Sequence, residues 1–432
     1  MLPALILSVL LLAVSATAGC GSREESAGTS PDAATTAAAS ATVPSRNVTV
    51  ESITQTVSSI RGLPIRKGID VQYRDPADIR QDMQKEIDRE YPPRELDVEE
   101  RTMKMMGLID PDVKLRDALS QLLGEEVAGY YDDDTKELVI VSNQRELTAM
   151  NEVTLSHEVT HALQDQNFDL KKISPEDTGN DDEDLARLAL IEGDATLTMQ
   201  EYTQRQLSGW DQLGLGLESM GGAGAITEAP PYLDDVLSFP YVKGMDFVTA
   251  LKRKGGWDLV NQAYRRPPDS TEQILHPEKY LAGEEPVPVN IPALDAAGGW
   301  QQKYETVMGE FDLQELLLPD LSTAQAKQAA AGWGGGKLRY YEDGSGRSMV
   351  VMVVDFDTAP DAAEFARAMK AGLENRYQGK FGPEAGASAP VLSTADGVWM
   401  VGAKGDAVAV VVSPSAATSS DISGQLVGSP AV

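Results

Sequence analysis

The chain has 432 residues, of which 42% are hydrophobic, and a formal net charge of −30 at pH 7. Its length is sufficient for two or three domains with a sizeable core. Because nucleic acids and anionic membranes are themselves negative, this charge argues against either as an electrostatic partner. The chain contains one cysteine, which excludes an intrachain disulfide.

The first twenty residues have the pattern of a signal peptide. Residues 5–14 are apolar except for Ser8, a stretch too short to span a membrane. The sequence TAGC at 17–20 resembles the lipobox of bacterial lipoproteins, in which the cysteine is lipidated, whereas ATA at 16–18 fits ordinary signal peptidase. We therefore expect a lipid anchor on Cys20 at the outer face of the bacterial cell membrane, or free secretion after cleavage at Ala18.

Composition divides the rest of the chain into three parts. Residues 21–46 are rich in Ala, Thr, Ser and Gly without apolar periodicity, so we expect a disordered tether there. Residues 47–322 have largely helical patterns, and the composition changes again near residue 323. The predicted fold class is α+β, with a mainly helical domain that carries a small edge sheet, followed by a small α+β domain over 323–432.

The first predicted elements lead to a hairpin. A strand is expected within 68–73, followed by helices over 76–91, 95–106 and 115–127. Residues 130–142 then have the composition of a hairpin, whose second arm has good strand composition. This hairpin comes just before the segment with the clearest chemical motif.

The segment from Thr154 to Leu163 contains His157, Glu158 and His161 in the pattern H-E-x-x-H. On a helix, residues four apart lie on the same face, with roughly 5–6 Å between Cβ atoms, so both imidazoles can reach one zinc ion. Glu158 can then reach a metal-bound water and not the metal itself. The uncharged flanking residues are typical of a helix buried beneath an active-site cleft. The alternative is a chance match on an amphipathic helix.

The runs LSHEVTHALQDQ at 155–166 and ALIEGDA at 189–195 resemble the zincin metallopeptidases, and among them the gluzincin-type group. In that group a glutamate from a second helix is the third zinc ligand, and the resemblance carries this role to Glu192. It also implies a zincin-like fold with Zn²⁺ as the cofactor. Apolar spacing predicts a helix over 184–202, and the glycine beside Glu192 predicts the close approach of another backbone or a ligand. The alternative is a surface glutamate on an exposed turn.

Two further carboxylates are candidates to orient a ligand imidazole by hydrogen bonding. Asp165 follows His161 by four positions, and Asp194 is close to Glu192. Each is equally well interpreted as a surface carboxylate. The resemblance also implies that a hairpin strand offers its edge to an extended substrate.

The third and last histidine, His276, lies in a polar stretch after helices predicted over 239–251 and 257–264. We expect it at the cleft, donating a hydrogen bond to the oxyanion that forms when water attacks a carbonyl. Tyr280 is a second candidate for this task, and Glu272 is a candidate to orient His276. The alternative is a histidine that caps local backbone or packs structurally.

The C-terminal part is predicted to have a β-β-α-β-β order. Strands are expected over 332–341 and 348–354, a helix over 359–377, and strands near 397–401 and 407–412. This order suggests a helix packed on an antiparallel sheet. With no histidine and no convincing catalytic cluster, the domain is interpreted as a packing, substrate-positioning or partner-binding module.

These patterns predict a zinc metallopeptidase whose partner is a peptide or protein substrate. The resemblance implies that zinc held by His157, His161 and Glu192 keeps a fourth position open for water. Glu158 would take the proton of this water as it attacks the scissile carbonyl, and would pass it to the leaving amine. The competing hypothesis is a non-catalytic cell-surface binding or structural lipoprotein on a zincin scaffold.

Overall fold

The computed structural model describes residues 48–79, 81, 85, 93–125, 128–141, 148–174, 179–209, 212, 230–294 and 299–427. The predicted signal peptide with Cys20 and the predicted tether lie outside these residues, as does part of the helix predicted over 76–91. The fold is α+β, which confirms the predicted class. In the part of the chain that the structure describes, no helix has both the length and the apolar character needed to cross a membrane.

The smaller of two sheets packs against the helix that carries the H-E-x-x-H motif. Its strands are β1 (Val71–Arg74), β2 (Gly129–Asp132) and β3 (Glu137–Val141), in the order β1-β3-β2. Strands β2 and β3 form the predicted antiparallel hairpin, and β1 pairs with β3 in parallel. Among the described residues, β2 is therefore an edge of this sheet.

Helices form most of the remaining N-terminal part. They are α1 (Val50–Arg61), α2 (Pro93–Met106), α3 (Leu115–Glu125), α4 (Ala149–Phe168), α5 (Leu170–Ile173), α6 (Asp181–Gln206), α7 (Pro231–Ala263), α8 (Thr271–Leu275) and α9 (Pro277–Ala282). Helix α4 begins after Thr148, whose hydroxyl accepts the Asn151 N–H at 3.1 Å. The helices predicted over 239–251 and 257–264 both lie in α7, where Gly255 and Gly256 leave the helical conformation and form a kink.

Helix α4 is buried along most of its length. Every residue from Glu152 to Asp165 is buried, including the motif. Leu155 and Val159 pack with residues of α1 and β3, and helix α6 packs on α4 as well. Because buried polar groups are costly without partners, the histidines and acids of this stretch must be satisfied by neighbouring helices or by a ligand.

The larger sheet occupies the C-terminal part. Its strands are β4 (Gln301–Thr306), β5 (Trp333–Glu342), β6 (Ser348–Phe356), β7 (Val391–Ser393), β8 (Val398–Lys404) and β9 (Ala407–Ser413), in the antiparallel order β4-β5-β6-β9-β8-β7. The accompanying helices are α10 (Glu310–Leu317), α11 (Thr323–Ala330), α12 (Ala359–Arg376) and α13 (Ala416–Val427). Side chains alternate along β6, so Val350 faces a core with α10, α11 and α12, and Val351 faces a core with α13.

The predicted β-β-α-β-β order is present as β5-β6-α12-β8-β9, but the sheet also contains β4 and β7. Strand β4 begins at Gln301, before the predicted domain start at residue 323. Its sequence, QQKYET, is polar because much of this edge strand is exposed, so it lacks an apolar alternation. Strand β7 has only three residues. Both strands are therefore weak signals in the sequence.

The N-terminus of α6 packs against the C-terminal part through buried carboxyl groups. Asp182 accepts hydrogen bonds from the backbone N–H of Thr271 at 3.2 Å and from its hydroxyl at 2.5 Å. Asp312, on α10, accepts from the hydroxyl of Tyr232 at 3.2 Å and from the N–H of Gly309 at 3.0 Å. The hydroxyl oxygen of Thr271 also accepts from the N–H of Phe311 at 3.2 Å, so this acidic junction, defined by Asp182 and Asp312, joins the helix that carries Glu192 to α10.

Candidate metal centre

His157 and His161 lie on one face of α4, as the four-residue spacing predicts. Their Nε2 atoms are 2.8 Å apart, and the ring centroids are 4.5 Å apart. The side chain of His157 is fully buried and that of His161 nearly so. At this separation only one of the two nitrogens can carry a hydrogen toward the other, or neither does and both lone pairs face a shared cation.

Glu192 reaches both imidazoles from α6. Its Oε2 lies 3.1 Å from His157 Nε2 and 3.3 Å from His161 Nε2, and the side chain is fully buried. Ligand atoms about 2.0–2.1 Å from a tetrahedral ion lie roughly 3.3–3.4 Å from one another. The three atoms thus approach the spacing of one face of such a tetrahedron, and the three residues could hold a metal ion.

The pKa shifts of these three side chains favour a protonated His161 beside an ionised Glu192 and a neutral His157. Burial and the positive charge of His161 lower the pKa of His157 to about 4. Burial also acts to lower the pKa of His161, but the charge and hydrogen bond of Glu192 outweigh it and raise this pKa to about 9. Burial acts to raise the pKa of Glu192, whereas the charge of His161 and hydrogen bonds from both histidines lower it overall. Among the described residues, Glu192 Oε1 has no hydrogen-bond partner, which leaves an acceptor for a cation.

Glu158 is fully buried and follows His157 directly, beside the three-residue cluster. Burial raises the pKa of its carboxyl group to about 8, against the lowering by the charge of His161. Among the described residues neither of its carboxyl oxygens has a hydrogen-bond partner, and the nearby backbone N–H of Tyr131 acts to lower its pKa. A carboxylate without side-chain partners in an apolar setting is suited to exchange a proton with a bound molecule.

Tyr241 is a site residue that the sequence did not indicate. It lies on α7, is 7% exposed, and its ring centroid is 6.3 Å from that of His157. Burial and then the charges of Glu192 and Glu158 raise the pKa of its hydroxyl, so it remains protonated and able to donate. Within the predicted helix 239–251 periodicity does not distinguish Tyr241 from an aromatic residue of the core, so it was not a candidate.

Asp194 and Asp165, the two carboxylates predicted to orient an imidazole, differ in their contacts. Asp194 is fully buried and accepts a hydrogen bond from Gln164, whose Oε1 lies 2.9 Å from Nδ1 of His161. Asp165 instead accepts from the hydroxyl of Tyr131 at 2.8 Å and pairs with Lys136. Asp165 therefore fixes the hairpin to α4, and only Asp194 is linked to a histidine of the cluster.

The structure does not support the expected oxyanion donors, His276 and Tyr280. Nε2 of His276 lies 3.0 Å from a carboxylate oxygen of Glu310, a residue of α10. The hydroxyl of Tyr280 donates to the carbonyl oxygen of Arg266 at 2.8 Å, and its ring packs edge-on against Phe247. Among the contacts of the described residues, none joins either side chain to the histidine cluster. Their polar atoms have structural partners, as the alternative interpretation of His276 proposed.

Glu272 does not orient His276 either. Its carboxylate pairs with the ammonium group of Lys279 at 2.7 Å, and the same ammonium group pairs with Glu284 at 2.6 Å and Asp357 at 2.7 Å. These three acids are close enough to hold a metal ion. Lys279 already supplies a positive charge between them, so this group is explained as an ion-pair network.

Strand β2 runs beside the motif helix. At Gly129 an added Cβ atom would lie 2.8 Å from the carbonyl oxygen of Val139 and 3.1 Å from the side chain of Thr154. The glycine therefore permits the close packing of β2 on α4, which also brings the N–H of Tyr131 to Glu158. Extended chains pair with the edge strands of sheets through backbone hydrogen bonds.

Comparison with known proteins assigns no activity to the chain. Residues 297–423, which include the larger sheet, match the family described as "Domain of unknown function (DUF8575)". No curated protein and no solved structure matches the chain.

Proposed function

We propose that this protein is a zinc-dependent peptidase of the gluzincin type, in which His157, His161 and Glu192 hold the metal. The observation that carries the proposal is the convergence of two imidazole nitrogens and one carboxylate oxygen, from two separate helices, within 3.3 Å of one another. All three side chains are buried, so this arrangement is held by the packing of α4 on α6.

The donor set favours zinc over the common hard cations. Ca²⁺ and Mg²⁺ prefer oxygen ligands in sets of six or more, whereas two imidazoles and a carboxylate are a usual catalytic set for Zn²⁺. When bound, zinc acts as a Lewis acid toward a carbonyl oxygen and lowers the pKa of water. Structural zinc sites are commonly closed by four protein ligands, while the described cluster offers three.

Features around the cluster supply proton transfer, a donor to the oxyanion and alignment of the substrate. Glu158 takes a proton from the attacking water and delivers it to the leaving amine nitrogen, so one carboxylate serves as base and then as acid. Tyr241 donates a hydrogen bond to the oxygen on which negative charge develops. Strand β2 aligns an extended peptide by backbone hydrogen bonds. A lipid anchor on Cys20 would place this activity at the outer face of a bacterial membrane, and cleavage at Ala18 would release it.

A non-catalytic binding or structural lipoprotein is the second candidate. The match to a domain of unknown function in the C-terminal part does not distinguish the two candidates. The buried Glu158 disfavours the non-catalytic candidate, because a carboxyl group buried beside a metal site without a side-chain partner is costly and has no structural use.

Peptide cleavage by a Glu158→Gln variant tests the proposal. Glutamine has nearly the same shape but cannot accept a proton, so the variant should bind zinc as the parent does and lose nearly all cleavage of a peptide library. The parent should cleave the library only when zinc is present. Zinc binding without any cleavage by the parent would favour the non-catalytic candidate, and equal cleavage by parent and variant would exclude Glu158 as the base.

A further inference from the structure

We propose that Arg61 is a positioning residue for His161, acting through Asp194 and Gln164. Arg61 is the last residue of α1, lies outside both predicted motifs, and precedes Asp194 by 133 positions in the chain. This inference rests on the proposed function, because it concerns the imidazole that would hold the metal.

Asp194 is the centre of a buried network with three donors. Its Oδ1 lies 2.6 Å from Nε of Arg61. Its Oδ2 accepts from the hydroxyl of Tyr264 at 2.8 Å and from Nε2 of Gln164 at 3.1 Å. Both members of the Arg61–Asp194 pair are fully buried. Burying one charge without a partner is costly, and here the guanidinium of Arg61 and the carboxyl group of Asp194 are buried together as a pair.

The contacts of Gln164 fix the orientation of its amide group. Its Nε2 donates to the carbonyl oxygen of Ile191 at 3.0 Å and to Asp194, and neither of these atoms can donate in return. The NH₂ group must therefore face them, and Oε1 must face Nδ1 of His161 at 2.9 Å. An amide oxygen only accepts, so Nδ1 carries the hydrogen. The lone pair of neutral His161 is then on Nε2, the nitrogen that faces Glu192 and His157.

The surroundings of Arg61 leave Asp194 as its hydrogen-bond acceptor. Its guanidinium lies 4.4 Å from the ring centroid of Trp257, and Nη1 and Nη2 have no hydrogen-bond partner among the described residues. Asp194 is thus the acceptor of its single hydrogen bond. The other histidine of the cluster lacks such support, since Nδ1 of His157 has no partner among the same residues. The network therefore selects the tautomer of one imidazole.

Zinc affinity in competition with a chelator tests this role. Loss of a partner that orients a ligand imidazole typically lowers metal affinity 10–100-fold. We expect this loss for Arg61→Met, which removes the charge but keeps much of the side-chain volume. The matched control is Lys252→Met, because the Lys252 ammonium group lies 3.9 Å from the same Trp257 ring without contacting Asp194. Its zinc affinity should equal that of the parent.

A second readout follows the proton on Nδ1 directly. The chain has three histidines, so its imidazole ¹H–¹⁵N NMR spectrum is simple to assign. In the zinc-loaded parent and in Lys252→Met, the Nδ1–H of His161 should exchange slowly with solvent because it is bonded to Gln164. In zinc-saturated Arg61→Met it should exchange faster. A residue that only supports the fold would not change this single proton selectively.

Arg61→Met removes one partner of a buried ion pair and leaves the charge of the other uncompensated, so this variant can fail to fold. A double variant that removes both charges keeps the role of Arg61 testable in that case. Asp194→Asn alone should weaken zinc binding 10–100-fold, and Arg61→Met/Asp194→Asn should bind as weakly as Asp194→Asn but no more weakly. A further loss in the double variant, or parental zinc affinity in Arg61→Met, would overturn the role of Arg61 while leaving the proposed function intact. A parent that binds no zinc would overturn both.

Discussion

Gly193 and Gly244 are in direct contact where helices α6 and α7 cross. A Cβ atom on Gly193 would lie 2.1 Å from the carbonyl carbon of Gly244, and one on Gly244 would lie 2.0 Å from the carbonyl oxygen of Ala189. The glycine next to Glu192 predicts the close approach of another backbone or a ligand, and the structure places the backbone of Gly244 there. The contact brings α7, and with it Tyr241, against the helix that carries Glu192.

Gly193→Ala should destabilise the protein and disturb the metal centre. The added methyl group has no space, and overpacking of this kind costs about 1–3 kcal/mol. Thermal unfolding measures this effect, and Gly424→Ala is its control. Gly424 lies in α13 with nothing within 4 Å of an added Cβ, so alanine there should be neutral or stabilising. An unchanged unfolding temperature for Gly193→Ala would contradict the close crossing.

His161→Ala should remove bound zinc, whereas His276→Ala should retain it. His161 contributes one of the three converging ligand atoms, while His276 is paired with Glu310. Elemental analysis of the purified variants after dialysis gives the zinc content per chain. If His276→Ala lost zinc and His161→Ala kept it, the assignment of the ligands would be wrong.

Tyr241→Phe should lower kcat about 10²–10³-fold with little change in KM, because it removes one donor to the developing oxyanion. Steady-state kinetics on a peptide substrate measures both constants. Tyr280→Phe is the matched control, since its hydroxyl already donates to the carbonyl of Arg266. It should keep kcat and lose only about 1 kcal/mol of stability. The reverse pattern would restore Tyr280 as the oxyanion donor.

The acidic junction predicts a pH dependence of stability that is independent of the metal centre. Burial, then the charge of Asp182, raise the pKa of Asp312 to about 8, and burial raises that of Asp182 to about 7. A carboxyl group whose pKa is raised on folding binds its proton more tightly in the folded state. Its contribution to stability is therefore present below about pH 4 and is lost as the pH rises through about 8.

Asp312→Asn removes the carboxyl group that binds this proton. The stability of the variant should therefore depend less strongly on pH. The unfolding temperature of the parent should fall between pH 5 and pH 9, and that of Asp312→Asn should fall less, because Asp182 still titrates. Differential scanning calorimetry on metal-free protein at several pH values measures both slopes. Equal slopes would show that Asp312 does not retain its proton near neutral pH.

The sequence predicted the parts of the site that local spacing determines. The four-residue interval of His157 and His161 sets their common face on any helix, whatever the rest of the fold. Glu192 came from the resemblance of its segment to gluzincins, and its position near both imidazoles depends on the packing of α6 on α4. The hairpin could be predicted because β3 has an apolar strand composition and directly follows a turn.

Tertiary contacts account for what the sequence did not predict. Tyr241 reaches the cluster through a helix crossing that no periodicity encodes, and Arg61 reaches Asp194 from a helix 133 positions earlier in the chain. His276 has the right side-chain chemistry for an oxyanion donor, but Glu310, 34 positions later, is its partner. Residue type alone does not reveal which neighbour a side chain will face.

X-ray absorption at the zinc edge of the protein loaded with one equivalent of zinc tests the metal centre most directly. We expect a nearest shell of nitrogen and oxygen atoms at about 2.0–2.1 Å, with the outer-shell scattering of two imidazoles. A shell of oxygen atoms without imidazole scattering, or failure of the protein to retain the zinc, would contradict this expectation.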